Sequence, residues 1–322
     1  MRVILTRLWQ SIVVLLGMSF LCFILIGLMP GDPIDIMIAA NPEATAEDAA
    51  RLRAIHGLDK PLGVRYLGWL QDAAKGDFGY SRLFSKPALE IILDRIWPTL
   101  ALMAASLTVA LLIAFPAGIY AAVRKDSMID RLINLTCFAG MSIPSFWLAL
   151  LLISGFAVSL NWLPAGGFAP EGSGIGTSFK HLILPIIALS VASIAGYTRY
   201  IRSAMIESLA QDHIRTARAK GCSGYRTVMV HGLRGALAPV CTVIALDFGT
   251  LFSGALVTET VFARPGMGKL IYDAILGNDF NLALLALLIA TVMILVGNMV
   301  ADVITLKLDP RIRLDKSQEG TA

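Results

Sequence analysis

Residues that could do covalent chemistry are few, and their spacing argues against it. The four histidines, His56, His181, His213 and His231, are scattered without metal-ligand spacing. Cys22, Cys137 and Cys241 lie in apolar segments and Cys222 in a basic loop, with no pairing that suggests zinc or a disulfide. The chain has no Gly-rich loop ending in Lys-Ser/Thr, no His-Glu-x-x-His and no Gly-x-Ser-x-Gly. What stands out is an acid in an apolar run, Asp247. Thr250, Gly254 and Thr258 continue its face at helical spacing. An ionisable group at membrane depth is costly and faces a bundle interior or a wet cavity. This stripe is therefore a candidate lining for a solute path, with Asp247 placed to meet a cationic group. A bond to a neighbouring helix, or simple protonation, would also account for the acid. Tyr197 and Ser193, and Asn298 further on, are weaker candidates of the same kind.

The elements that must position these residues are membrane spans. Of 322 residues, 56% are hydrophobic and 16% charged, against roughly a quarter charged in soluble domains. Mean hydropathy is +0.71. The net charge of +4 does not point to nucleic acid, because the basic residues cluster beside apolar segments. Residues 1–29 read as a short basic N-terminus and a first span, too long in its apolar part for a signal peptide. Residues 30–98 are a polar insertion, with expected helices over 44–56 and 64–74, a turn over 57–61 and a break at Gly76-Asp-Phe-Gly-Tyr-Ser81. Residues 99–306 hold five more spans. These are 99–123, 132–160 with a bend at Ser142-Ile-Pro-Ser145, 182–201, 240–262 and 282–306; a polar tail covers 307–322.

Short-loop basic residues set the expected orientation. Arg2, Arg7, Arg124, Lys125, Arg131, the run from Arg199 to Arg234, and Lys307 to Lys316 fall on one side. Lys180, Arg264 and Lys269 fall on the other. Both termini are thus expected in the cytoplasm and the insertion outside it.

Between the fourth and fifth spans, at about 202–236, lies the most informative polar stretch. Asp212 suits a helix N-cap, and Gly221 suits a C′ stop after Arg218 and Lys220, so 214–220 reads as a short helix. Thr216, Ala217 and Ala219 are small and would let another backbone come close. Ser223 can cap a second helix running toward Pro239. Two short capped helices beside membrane spans suit docking.

Ile214-Arg-Thr-Ala-Arg-Ala-Lys-Gly221, followed by His231-Gly-Leu-Arg-Gly-Ala-Leu-Ala-Pro-Val240, resembles the EAA loop of permease subunits in binding-protein-dependent ABC importers, most closely the peptide branch. Arg215, Thr216 and Ala217 hold the positions of Glu-Ala-Ala, so the Glu is absent, a departure shared by that branch. Met29-Pro-Gly-Asp-Pro33, His56-Gly-Leu-Asp-Lys-Pro61, Gly76-Asp-Phe-Gly79 and Thr258-Glu-Thr-Val-Phe-Ala-Arg-Pro-Gly-Met-Gly-Lys269 resemble the same branch.

The resemblance implies an all-α membrane protein with six transmembrane helices, the type I ABC importer permease fold, and a small periplasmic insertion between helices 1 and 2. It implies a bacterial inner-membrane transport subunit and no enzyme. Its coupling loop, Asp212, Arg215, Thr216, Ala217, Ala219 and Gly221, would meet one of two cytoplasmic ATPases that use the ATP; the chain itself would bind no cofactor. A second, similar permease would complete a heterodimer in the bilayer, and a periplasmic binding protein would deliver cargo. Glu259 would close an outer gate or touch that protein; a charge at the headgroup level is the plainer reading. Branch members carry dipeptides, longer peptides, glutathione, nickel chelates and some sugars. An ion-driven secondary transporter and a scaffold without cargo are the other classes compatible with six spans.

Overall fold

A backbone in hydrocarbon must satisfy its own hydrogen bonds, so apolar runs bounded by Pro and Gly become helices here. The computed structural model describes residues 2–28, 51, 60–170 and 172–308. Among them the extended pairing is one isolated bridge, Tyr80–Pro87. The helices are α1 (Arg2–Gly27), α2 (Leu62–Ala74), α3 (Ala88–Val123), α4 (Met128–Ser142), α5 (Ser145–Leu152), α6 (Ile175–Ala210), α7 (Asp212–Ala219), α8 (Gly224–Arg226), α9 (Leu233–Leu246), α10 (Phe248–Val261), α11 (Met267–Leu276) and α12 (Phe280–Leu308). Two π-helical segments, Ile153–Ser159 and Thr227–Gly232, extend α5 and join α8 to α9.

Five described helices are long and apolar enough to cross a membrane, six if the pair 128–142 and 145–159 counts as one broken span. That pair is bent by 95°. The cause is Pro144, which pushes Ile143 into an extended conformation (φ −84°, ψ 119°) and opens the next helix. The amphipathic helix expected over 64–74 is present as α2. Gly76 and Gly79 take positive φ in the expected break after it. The helix expected over 44–56, the Pro30–Pro33 break, most of the turn at 57–61 and the tail beyond 308 lie outside the described residues.

Three expected boundaries move. The helix that carries the second span begins at Ala88, ahead of 99, so the end of the expected insertion is helical. Glu90 sits in its first turn, where an acid suits the helix dipole, and polarity had disguised a helix start as a loop. The fourth span is longer than 182–201 and runs unbroken through Pro185 from Ile175 to Ala210. The apolar helical run long enough to make the fifth crossing is Gly224–Leu246, whereas the expected 240–262 is interrupted at Asp247, between α9 and α10. Consequently the helix begun by Ser223 is no short element but the start of that crossing, and Pro239 lies inside it. Arg226 and Arg234 are exposed while Ala236 and Val240 are buried, so the charged residues point away from the packed face.

The chain divides into two compact units, Met1–Pro98 with Pro265–Leu295, and Thr99–Arg264 with Val296–Ala322. In the first, Cys22, Phe23, Leu284 and Leu288 form a core onto which Tyr66, Trp69 and Phe280 pack. The Phe23 ring meets Tyr66 and Phe280 edge-on, with centroids 5.5 and 5.2 Å away. Asp279 fastens the break near Gly79. Its carboxylate accepts from Ser81 Oγ at 2.6 Å and from the Leu83 amide at 3.0 Å.

The second unit carries the candidate site. Ala110, Ala114 and Ala122 of α3 face Tyr197, Ile201 and Met205 of α6, and Ala236 and Val240 of α9 close the cluster. Small residues let helices without a hydrophobic driving force come close enough to gain dispersion contacts. A second cluster, Ala149, Leu184, Ala188 and Phe262, holds α5, α6 and the end of α10 together.

Candidate functional site

The short helix α7 is attached to α6 through one residue, Gln211. It starts earlier than the sequence suggests. Gln211 is the N-cap and makes no side-chain cap bond, so Asp212 is the first helical residue and acts through its charge rather than as a cap. Arg215 lies 3.6 Å from the Asp212 carboxylate, an exposed pair of little energetic weight. The C-terminus matches expectation. Gly221 takes φ +81°, its amide bonds the Arg218 carbonyl at 2.9 Å, and the Cys222 amide reaches back to Ala217 at 3.2 Å. These two bonds make a Schellman stop, which needs a left-handed residue at that position.

Which face α7 shows is the main correction. Ile214 (1% exposed) and Ala217 (6%) are turned into the protein, toward Thr227–Gly232 and the end of α6. The small side chain of Ala217 lets α7 lie close on its own chain. It does not form part of an outer docking face. Asp212, His213, Arg215, Thr216, Arg218 and Ala219 are exposed.

Beneath α7, the glycines of the His231–Val240 motif have a steric role. A Cβ on Gly232 would fall 2.7 Å from Leu209 Cδ2, and one on Gly235 would fall 2.4 Å from Ser208 Oγ. Their absence lets the Gly224–Leu246 crossing press on the end of α6, where buried Ser208 Oγ donates to the Gly232 carbonyl at 2.7 Å.

Asp247 sits between α9 and α10, with φ −79° and ψ 0°. It is half-buried, and Tyr197 Oη donates to its Oδ2 at 2.7 Å. The structure thus joins two of the path candidates across two helices. It separates the rest of the stripe. Thr250 is exposed, and Gly254 is half-buried with room for no Cβ, which would meet Leu189 Cδ1 at 2.8 Å. Thr258 is buried and spends its hydroxyl on the Gly254 carbonyl at 2.9 Å, so in this conformation it lines no open path. Ser193 and Asn298 are half-buried.

Glu259 is fully buried (0% exposed) and accepts from Thr99 Oγ1 at 2.6 Å. It therefore offers no surface contact to another protein in this conformation. Nearby, Arg264 lies over the Phe168 ring, 4.5 Å from its centroid. Burial pushes its guanidinium below the usual range, and the Glu259 charge opposes that shift. The loop before α6 is seated on the end of α10. The Gly167 amide donates to the Phe262 carbonyl at 2.9 Å, and a Cβ on Gly166 would fall 1.9 Å from that oxygen.

One constellation went unread in the sequence. Asp130, third residue of α4, is 2% exposed and accepts four hydrogen bonds. Arg202 Nε and Nη2 donate at 2.5 and 2.7 Å, Asn134 Nδ2 at 2.8 Å, and the Asp126 amide at 2.9 Å. The sequence signal was Ser127 three residues before Asp130, a helix-start pattern whose cap bond forms at 3.3 Å.

Comparison with known proteins closes the description. Residues 114–314 match the family described as "Binding-protein-dependent transport system inner membrane component", and residues 1–103 match its N-terminal companion. The chain is 40% identical over 312 residues to the oligopeptide transport system permease protein AppB of Bacillus subtilis (strain 168), covering 96% of this chain and 98% of that one. It is 36% identical over 310 residues to the glutathione transport system permease protein GsiC of Escherichia coli (strain K12), again covering 96% and 98%. Among solved structures, a chain of the MetNI methionine ABC transporter, described in inward facing conformations, superposes with a TM-score of 0.58. It shares 19% identity, over 69% of this chain and 97% of that chain, a likeness of fold.

Proposed function

Because the chain belongs to the family of binding-protein-dependent transport system inner membrane components, it is a multi-pass transport subunit and not an enzyme, and we propose that it forms half of an ATP-driven path for peptides or similar small solutes. The observation that carries this reading is α7. It is a stopped, rigid helix of eight residues, anchored by Ile214 and Ala217 and exposed along Asp212, Arg215, Thr216 and Ala219. That is the form of a knob for a groove on another protein. An ATPase that uses the ATP fits below it, and this chain contributes no phosphate-binding loop of its own. The family description supports an inner-membrane location, and the distribution of basic residues in short loops supports cytoplasmic termini. A second, similar permease completes the path, and a periplasmic binding protein supplies cargo. Relatives named for oligopeptides and for glutathione favour a peptide-like cargo with a free amino terminus, met by Asp247 beside Tyr197. Thr250 and Gly254 border that route. Thr258 and Glu259 belong to the packed end of α10, which we assign to closing the outer side.

Capture of the tagged chain from native membranes in mild detergent, with partners identified by mass spectrometry, tests the assembly. Two ATPase copies and a second permease are expected. Gly221→Val should weaken ATPase recovery, since a β-branched side chain at φ +81° costs about 1–2 kcal/mol and reshapes the stop. Recovery of the chain alone, with uptake driven by an ion gradient and no ATP, would overturn the reading in favour of a secondary transporter.

A further inference from the structure

A docking helix is useful only if its displacement reaches the spans that open and close. The outer end of α7 is fixed to its own chain, and its inner end continues into α6. Arg202 lies on α6, two turns before that helix ends at Ala210. Its guanidinium grips Asp130 at the start of α4 with two bonds, 2.5 Å to Oδ1 and 2.7 Å to Oδ2. A paired, planar contact of this kind fixes direction as well as distance, unlike a single-point ammonium contact. Asn134 and the Asp126 amide occupy the remaining lone pairs, so the carboxylate has no alternative partner to turn toward.

Beyond Asp130, α4 runs to the 95° elbow at Ile143-Pro144. The second limb, α5, packs against α10 and shares the cluster of Ala149, Leu184, Ala188 and Phe262. Thus α6 touches the broken span twice, through a charged clamp near α7 and an apolar seat near Phe262. An apolar seat can slide. The clamp cannot move without breaking several charge-assisted bonds.

We propose that Arg202 and Asp130 are the positioning pair that locks α4 to α6, so that the first limb of the elbow follows the docking helix as one body during the ATP cycle. This rests on the transport reading above. Neither residue touches cargo or nucleotide in this role. They act through the helices they join, and the clamp is what converts a push on α7 into a movement of the elbow against α10.

The test uses the complete importer in lipid nanodiscs, with its permease partner, ATPases and cargo-loaded binding protein. Spin labels replace the exposed Met128 and Gln211, one on α4 and one beside α7, in a background whose native cysteines are substituted. With the clamp intact, the label distance is expected to stay the same between the nucleotide-free and the ATP-vanadate trapped states. Asp130→Asn keeps the shape and removes the charge. It should let the distance change with nucleotide, and should lower the stimulation of ATP hydrolysis by the loaded binding protein by about tenfold, the scale of typical coupling between sites. Basal hydrolysis should persist. Arg202→Lys keeps the charge without the fork and should give a smaller change in the same direction, which preserves the test if Asp130→Asn does not assemble. A distance that changes with nucleotide in the intact protein would overturn the proposal, as would variants with unaltered distance and stimulation. A wild-type assembly with no ATP hydrolysis would instead overturn the transport reading itself.

Discussion

Two aspartates belong to the same unit, one on α4 and one between α9 and α10, and their surroundings could hardly differ more. Asp130 is sealed from solvent and every lone pair is engaged, by a guanidinium fork, an amide side chain and a backbone amide. Asp247 is half-buried, and the described hydrogen bond to its carboxylate comes from one tyrosine hydroxyl. A carboxylate accepts about four hydrogen bonds. The first acid is therefore complete within the fold, and the second keeps capacity for donors beyond the one found among the described residues. Hydropathy singles out Asp247, in an apolar run, and leaves Asp130 among the charges of a short loop. The recognition role proposed for Asp247 rests on how few donors the described residues commit to it.

The largest effect should come from removing the fork. Arg202→Ala leaves a buried carboxylate without its counter-charge, a change that costs about 3–5 kcal/mol, toward the lower end here because the arginine is partly exposed. A fall of several degrees in the thermal unfolding of the purified protein would record it. The double variant Arg202→Ala with Asp130→Ala should recover much of the loss. If the single variant is as stable as the parent, the contrast between the two acids fails.

Asp247→Asn should act oppositely, with little change in thermal unfolding but a change in selectivity. If the carboxylate meets a peptide amino terminus, uptake of a peptide with a free amine should drop about tenfold or more relative to its acetylated form, as expected for a hydrogen bond to a charged group worth about 1.5–3 kcal/mol. Equal losses for both forms would assign the acid to helix packing. The smallest effect belongs to Tyr197→Phe, which withdraws one donor and leaves the acid in place. Uptake should change by less than about tenfold, since a single such bond is worth about 0.5–1.5 kcal/mol net.

Local rules accounted for much of this fold in advance. Pro144 bends the third span because proline restricts the residue before it, and Gly221 stops α7 because a Schellman end needs positive φ. Both depend on one or two residues. What could not be read depends on partners distant in sequence. Arg202 and Asp130 lie 72 residues apart, and no spacing rule pairs them. The facing of Ala217 depended on where α7 would lie, and Gly232 and Gly235 looked like flexible punctuation until α6 was seen to press against them. The early start of the helix before 240 was hidden because Arg226, Arg234 and Pro239 resemble interruptions, although an arginine can point outward and a proline inside a membrane helix frees a single carbonyl.

The length of α6 has a mechanical consequence. At about 1.5 Å per residue its 36 residues span about 54 Å, against a hydrocarbon core of about 30 Å. On the orientation proposed above, the surplus at the α7 end lies beyond the hydrocarbon, packed on Thr227–Gly232, and carries α7 as a lever carries its tip. A pivot of a few degrees within the bilayer becomes a travel of roughly 2 Å at the tip, and a push at the tip returns as torque on the bundle. Under the coupling role proposed for α7, shortening the arm by one turn would reduce that travel while nearly keeping the facing of α7, whereas removing one residue would turn it by about 100°, so the helix length sets both the stroke and the aim.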